Sequence, residues 1–366
     1  MDDIRVLKFG GTSMGDEQTW RRVLSIAATY ERSVIVVSAT SHTTRQLLAA
    51  AESALEDVGK ALEISLQIRQ RHETLIDRFL EQFDPAKRED AGCRCREVIA
   101  VCTAILENHL KGISNTGTIT AARKDAVASL GEQLSSRLFA ICARVFGLKT
   151  CFIDARDIIK TDSDFGKANP DTAKIEARIP LVASRVTAGE IPVIGGYYGE
   201  NEEGAITTLG FEGSDYTASL VGAALECDAI EIWTDVNGIY TCDPGVVEGA
   251  SPIPEISFRE ATEMAYFGAR VLHPSTLKPA SEKGIPVYVR NIFEPEHPGT
   301  KIFSGAESNG PVRAITYLEQ VVIVTVHAPS TLMGYHLLSN VFQVLELNHM
   351  LVDVVKTTES SVSIAL

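Results

Sequence analysis

The chain has 366 residues, 45% of them hydrophobic and 22% charged, with 48 acidic against 34 basic side chains for a formal net charge of -14. That length suits two or three domains with a sizeable core, and the composition excludes wholesale disorder. So acidic a surface repels phosphate backbones, which argues against nucleic acid as a bulk partner and leaves room only for a local basic pocket.

The chain opens MDDIRVLKFGGTSMG, without the basic stretch and apolar core of a signal peptide. No apolar run is long enough to cross a membrane, so no membrane partner and a cytoplasmic location are expected. The seven cysteines, Cys93, Cys95, Cys102, Cys142, Cys151, Cys227 and Cys242, are odd in number and sparsely spaced. They read as reduced, mostly buried thiols, with no metal site.

Residues 4–9 (IRVLKF) read as a first strand, followed by the glycine turn GGTSMG. A helix follows, with Trp20, Val23, Leu24 and Ala27 on one face, and then the β-branched strand SVIVVS at 33–38. Strand, helix and strand in this order signal a parallel βαβ unit. Residues 45–111 are helical in pattern, broken near Phe83, Asp84 and Pro85, and read as an excursion serving as a lid or a dimer surface. Residues 131–145 form an amphipathic helix with Leu134, Leu138, Ile141 and Val145 on one face. Further strands are expected at 151–155, from 192 to the glycines at 195 and 196, at 229–234 and at 285–289. The pattern predicts a three-layer α/β domain with a mostly parallel central sheet over 1–295. A linker with three prolines and three glycines spans 294–312. Residues 313–366 then read as a strand at 320–326, a helix at 337–347 and strands at 351–355 and 361–366. This βαββ is part of a ferredoxin-like βαββαβ unit, and its apolar last strand points to truncation or to completion by another chain.

Several segments carry candidate chemistry. At Lys8, Gly10, Gly11 and Ser13 a strand ends in a lysine before two glycines, which suits either a phosphate cradle or a tight structural turn. The order matches neither the P-loop nor the dinucleotide fingerprint. At Thr207–Asp215, two glycines precede Ser214 and Asp215 at a helix start. Those two are either simple caps or substrate contacts, with Ser214 as the cap. Trp233–Tyr240 is a turn after a strand, where nucleotide loops sit in open α/β sheets. Glu132 opens a helix and is either a surface carboxylate or a ligand group. His42 is a pocket candidate. His72, His109 and His349 read as structural or solvent-facing, and His273 as a helix-start packing residue.

Taken together, KFGGTS at 8–13, GEQLSS at 131–136, TTLG and GSDYTA around 207–218, WTDVNGIYTCDP at 233–244 and FGARVLHP at 267–274 resemble the aspartate kinases, a branch of the amino acid kinases. The resemblance spans nearly the whole chain and implies ATP-dependent phosphorylation of the L-aspartate side chain to 4-phospho-L-aspartate, the first step toward lysine, threonine and methionine. It implies Lys8 and Asp215 as catalytic residues and Ser41, Thr44, Glu132 and Asp215 around the amino acid, where two carboxylates suit an α-ammonium, with Ser214 beside them. Gly10, Gly11, Ser13, Thr234, Asp235, Tyr240 and Arg270 fall on the nucleotide side. Mg2+ would bridge the ATP phosphates with few protein ligands. The C-terminal βαββ resembles a partial ACT domain, whose lysine or threonine effector would meet Met333, Thr357, Thr358 and Glu359. A homodimer or higher homo-oligomer is implied.

The chain departs from the family pattern at several positions. The arginine usual after TTLG is Phe211, the arginine after YTxDP is Gly245, and the lysine of FGAKVLHP is Arg270. The first removes an expected partner for a substrate carboxylate, and Arg45, in place of a family asparagine, is the expected replacement. The departures keep two other readings open: an amino acid kinase for a different carboxylate, or a catalytically impaired regulatory relative.

Overall fold

β1 (Arg5–Phe9), α1 (Glu17–Ala27) and β2 (Ser33–Val37) open the chain as a parallel βαβ unit, with β1 and β2 in register from Arg5 opposite Ser33 to Phe9 opposite Val37. Asp16 caps α1 through a reciprocal box with Thr19, and the predicted stripe of Trp20, Val23, Leu24 and Ala27 is fully buried. The computed structural model describes residues 3–269, 272–307, 312–318, 321–327, 335–348, 350, 352, 354–358 and 361–366. The chain divides after Ile315 into two compact units.

A long helical run follows β2: α2 (Thr43–Ser53), α3 (Val58–Leu80), α4 (Pro85–Thr116), α5 (Ala121–Ala128) and α6 (Leu130–Phe146). Pro85 stands at the first helical position of α4 with Asp84 as its cap, so the expected break falls where proline costs no hydrogen bond. The segment 45–111 is not an excursion. Leu75, Ile76 and Phe79 of α3 and Cys95 and Ile99 of α4 share one core with the sheet residues Leu7, Phe9, Ile35 and Val37. The two helices form an outer layer of the sheet, and α2 to α5 enclose a smaller core of their own.

The chain continues through β3 (Thr150–Ile153), α7 (Thr172–Arg178), α8 (Pro180–Thr187), β4 (Ile191–Gly195), β5 (Tyr198–Glu200), β6 (Ile206–Thr208), α9 (Gly213–Leu225) and β7 (Ala229–Thr234). It closes the larger unit with β8 (Glu255–Ile256), α10 (Phe258–Tyr266), α11 (Pro274–Lys283), β9 (Val287–Asn291) and β10 (Thr300–Ile302). Eight strands make one sheet in the order β3-β4-β2-β1-β7-β9-β10-β8, parallel throughout except where β10 runs against β9. Alternate residues of each strand serve opposite cores. Val6, Val34 and Val36 join the α9 and α11 side, while Leu7, Ile35 and Val37 join the α1, α3 and α6 side. Burial on both faces is why these strands read as continuous apolar runs. The expected linker at 294–312 contains β10, which pairs with both β9 and β8, and Ile315 N-H donates to Thr241 O, so the larger unit runs past residue 295.

One carboxylate is buried inside the sheet. Glu231 of β7 is 1% exposed, and its oxygens accept from Arg5 Nη1 at 3.1 Å, Tyr30 OH at 2.7 Å and Arg290 Nη1 at 3.3 Å. The Arg290 guanidinium also lies 4.6 Å from the centre of the Trp233 ring. Every charge at this site has a partner, as burial requires.

The smaller unit consists of β11 (Ile323–His327), α12 (Tyr335–Leu347), β12 (Val354–Thr357) and β13 (Ser361–Ala365), an antiparallel sheet in the order β11-β13-β12. Leu345, Val362 and Ile364 form its buried core. Among the described residues no helix is long and apolar enough to cross a membrane.

The strand ends approach the helices closely because small residues stand there. A Cβ on Gly196, just beyond β4, would lie 2.6 Å from the Cα of Ser214 in α9. We expect Gly196→Ala to lower the chemical-denaturation midpoint by the equivalent of about 1–3 kcal/mol. Gly249→Ala, with no heavy atom within 4 Å of its Cβ position, should stay within about 0.5 kcal/mol of the parent.

Candidate active site

The loops that leave the carboxyl ends of β1, β2 and β4 converge with the start of α9, where open α/β sheets bind their ligands. Lys8, the fourth residue of β1, ion-pairs with Asp215 in the first turn of α9, and the two side chains are 9% and 7% exposed. Beside them opens a cavity of about 770 Å3, lined among others by Lys8, Ser38, Thr44, Glu132, Tyr197, Thr208, Ser214 and Asp215.

Glu132 enters from α6. Its helix packs hard on the end of β2 because Gly131 leaves no side chain there: a Cβ would lie 2.8 Å from the Cβ of Ala39. Ser135 Oγ donates to Ser38 O at 2.8 Å and Ser136 Oγ donates to Glu132 O at 2.6 Å, so the GEQLSS segment is a fastening between α6 and β2. Glu132 Oε1 accepts from Ala39 N-H at 3.1 Å, whereas its buried Oε2 has no partner. Burial pushes the carboxyl up to about 8, against the opposing pull of the Ala39 N-H and of Lys8. It therefore holds a proton at neutral pH and is poised to release it to solvent when a cationic ligand group arrives.

Glu212 caps α9 with backbone φ of 52°, a left-handed conformation unusual for a residue with a Cβ. Burial and the Asp215 charge push its carboxyl up to about 7. Ser214, expected as the cap, lies inside the helix and faces the cavity instead. Asp125 of α5 is a clasp: its Oδ2 accepts from Gly166 N-H and Thr208 N-H, both at 2.8 Å, and ties the 162–167 loop and β6 to α5 at the cavity wall.

The segment between β2 and α2 is held from below. His72 of α3 is fully buried, with Nδ1 2.7 Å from Ile68 O and Nε2 2.9 Å from Thr40 Oγ1. A carbonyl can only accept, so Nδ1 carries the proton and Nε2 accepts from Thr40. Arg71 donates to Ser41 O at 2.8 Å and to Thr43 Oγ1. Ser41 Oγ donates to Gly11 O at 2.7 Å and so joins this segment to the glycine turn without lining the cavity. Thr44 lines it. Arg45 and His42 do not: both are exposed, His42 as the left-handed cap of α2. The expectation that Arg45 supplies a carboxylate partner at this cavity is therefore corrected, because its side chain leaves α2 on the solvent face.

On the opposite side, Gly10 N-H donates to Trp233 O at 3.3 Å and Ser13 Oγ to the same oxygen at 3.4 Å. Ser13 is fully buried and anchors the turn to β7. Among the described residues no acceptor sits on the backbone N-H groups of Gly11, Thr12 and Ser13, which form a nest suited to an anion. Thr234 donates to Asp235 at 3.2 Å at the end of β7, and Tyr240 bridges to Pro252; none of these three lines the cavity. Arg270, Met333 and Glu359 lie outside the described residues. Thr357 is exposed on β12, and Thr358 N-H donates to Ser361 O at 2.8 Å. Phe211 is 80% exposed, with its ring 6.3 Å from that of His273, which caps α11. Gly245 is exposed, its N-H on Asp243 Oδ1 at 2.8 Å. Among the described residues no group of three His, Cys, Asp or Glu is placed to hold a metal.

Sequence reading missed Lys124, Asp125, Tyr197 and Glu212, all of which line the cavity or its wall. The paired glycines at 195 and 196 were the available signal for Tyr197. Nothing in the pattern of an amphipathic helix marked Lys124 and Asp125.

The family model described as the amino acid kinase family matches residues 3–291. The chain is 36% identical to aspartokinase 1 (chloroplastic) of Arabidopsis thaliana, over 99% of this chain and 63% of that protein. With lysine-sensitive aspartokinase 3 of Escherichia coli it shares 33% identity over 100% of this chain and 79% of the relative. It spans 63% to 66% of the length of the three Arabidopsis aspartokinases it matches. The crystal structure of E. coli aspartokinase III in complex with aspartate and ADP superimposes with a TM-score of 0.82 at 33% identity, covering 100% of this chain and 78% of that one. The T-state complex of the same enzyme with lysine and aspartate gives 0.80, over 99% and 79%.

The buried imidazole makes the stability of this site depend on pH. Burial pulls His72 from 6.5 down to about 4, so between those values the unfolded chain binds a proton that the folded one does not. Its contribution is complete above pH 6.5 and is lost as pH falls through 4, by up to about 3 kcal/mol. We expect His72→Gln to flatten the fall in urea midpoint between pH 7 and pH 5 relative to the parent.

Proposed function

Because the chain belongs to the amino acid kinase family and, within it, to the aspartokinases, we propose that it transfers the γ-phosphoryl group of ATP to the side-chain carboxylate of L-aspartate, giving 4-phospho-L-aspartate. The observation that carries this reading is the meeting of Lys8 and Glu132 at one cavity, with the glycine turn beside Lys8, where a Cβ on Gly10 would lie 3.5 Å from Lys8 Nζ. The glycine turn offers free N-H groups, Lys8 offers a buried ammonium held by Asp215, and Glu132 offers an unpartnered carboxyl oxygen.

Phosphoryl transfer demands positioning and charge neutralisation more than covalent help. An ionised carboxylate oxygen of the acceptor attacks the γ-phosphorus, the bond to the bridging oxygen of ADP breaks, and the electron pair leaves with ADP. No base is needed, since the nucleophile carries no proton at neutral pH. Lys8 faces the charge that spreads over the transferring group, and Asp215 fixes where that ammonium stands. Glu132 Oε2 receives the α-ammonium. Asp215 is less available for that role than the sequence suggested, being already committed to Lys8. The residues fit Mg-ATP: the Gly10–Ser13 turn would hold phosphate oxygens, and Mg2+ would be carried by the phosphates themselves, supplying further charge neutralisation. Ser41 supports the site through Gly11, and Thr44 and Ser214 face the acceptor. Thr234, Asp235, Tyr240 and Arg270 are assigned to the nucleotide.

The impaired-relative reading draws no support from the geometry, since Lys8, Asp215 and Glu132 are all assembled. For the smaller unit we propose an amino acid effector. Lysine is favoured because the lysine complex of E. coli aspartokinase III is matched over 99% of this chain. A homo-oligomer is proposed on the resemblance alone.

Turnover is checked by trapping the acyl phosphate as its hydroxamate. We expect product with L-aspartate and ATP, and a loss of about 100-fold or more in kcat for Lys8→Met. Turnover with another carboxylate but none with aspartate would overturn the substrate assignment. Glu132 predicts a further signature. An arriving ammonium ionises a carboxyl that holds its proton up to about 8, so aspartate binding at pH 7 should release up to about one proton. Calorimetry in buffers of different ionisation enthalpy reads this directly, and Glu132→Gln should abolish it.

A further inference from the structure

The acceptor proposed above carries two carboxylates, and only one of them reacts at Lys8. The other, next to the α-ammonium, needs a cation of its own inside a wall that is strongly acidic. Asp125, Glu132, Glu212 and Asp215 all line the cavity, and the cations lining it among the described residues are Lys8 and Lys124. Lys8 is engaged by Asp215 and faces the transferring phosphoryl group. Phe211, at the position where the resemblance leads one to expect an arginine, offers an exposed ring and no charge.

Lys124 stands on α5, one turn before Ala128 and two turns before Glu132, and all three line the cavity. The backbone of Ser129 between α5 and α6 stays right-handed helical, so the spacing of eight residues places the Lys124 and Glu132 backbones roughly 12 Å apart along one face. Both side chains line the same cavity, so a ligand bound there can meet both. The Lys124 ammonium is exposed and, among the described residues, makes no hydrogen bond or ion pair. Its neighbour Asp125 is occupied by the N-H groups of Gly166 and Thr208. Lys124 lies within coulombic reach of Asp125 but is bonded to no carboxylate, so among the described cations of this wall it is the one left to take up a ligand anion.

We propose that Lys124 binds the α-carboxylate of the substrate and determines the preference for an α-amino dicarboxylate, filling the role that Phe211 leaves vacant. Lys124 and Glu132 then grip the two charges of the amino acid head, and the side-chain carboxylate is left free to meet Lys8. This inference rests on the aspartate reading above.

β-Alanine is the decisive probe, because it is aspartate without the α-carboxylate. In steady-state assays with saturating Mg-ATP, Lys124→Ala should raise the KM for L-aspartate about 10- to 100-fold, with a much smaller change in kcat. The same variant should lower kcat/KM, or raise the competitive inhibition constant, far less for β-alanine. The discrimination between the two acceptors should therefore shrink by a similar factor. Lys124→Arg should retain most of the discrimination, and Phe211→Arg placed in the Lys124→Ala background should restore part of the lost affinity. An unchanged aspartate KM in Lys124→Ala, or equal effects on aspartate and β-alanine, would overturn the inference while leaving the aspartate reading intact. A parent chain that does not phosphorylate aspartate would overturn both. Lys124 is exposed, so the variants are expected to fold, which circular dichroism verifies.

Discussion

The buried pair of Lys8 and Asp215 is the constraint around which the rest of the larger unit is organised. Removing an ammonium and a carboxylate from water is costly, and the loss is offset only if the two meet with good geometry. That requirement fixes the end of β1 relative to the start of α9. The fixing extends outward: Gly196 must be small for β4 to pass α9, and Gly131 must be small for α6 to reach the end of β2. Both contacts bring further strand ends to the same point. The cavity is the space that remains when these close approaches have been satisfied.

The helical block that separates β2 from β3 serves this same end. Its core residues join those of the sheet, and its polar interior residues reach up to the segment between β2 and α2. His72 holds Thr40, and Arg71 holds Ser41 and Thr43. The segment that leads to Thr44 on the cavity wall is thereby supported from α3 rather than by its own backbone alone. Asp125 does the same for the far wall, where one carboxylate oxygen gathers two backbone N-H groups from separate segments.

Much of the fold was legible because the strands are buried on both faces and read as short β-branched runs. The stripe on α1, the proline at the head of α4 and the glycine-marked end of β4 all fell where elementary patterning places them. What escaped were elements too short or too polar to carry a period: the hairpin of β5 and β6, and β8 and β10, which gain their pairing only from neighbours distant in sequence. At the site, Lys8, Glu132 and Asp215 were legible through the motifs that contain them. Arg45 was misplaced because charge complementarity between two segments says nothing about the helix face on which a side chain leaves. Ser214 was misread as a cap because Glu212 takes the left-handed turn, a conformation that sequence preference assigns to glycine or asparagine. Lys124 was invisible for a related reason: only the folded wall reveals that its ammonium stands at the cavity without a bonded carboxylate among the described residues.

Glu231 carries a consequence of a different kind. In a parallel sheet whose strands are apolar on both sides, sliding one strand by a residue exchanges one greasy face for another and costs little side-chain contrast. A carboxylate in the middle of β7 removes that degeneracy. Its three partners come from β1, from β9 and from the segment after α1, so only one alignment of β7 leaves the charge matched. Every slipped alignment strands a carboxylate in the core and drags the Trp233 carbonyl away from the glycine turn. The residue acts as a typographical check on assembly, one polar letter that makes misaligned copies of the sheet unreadable, and the alignment of the glycine turn is inherited from it.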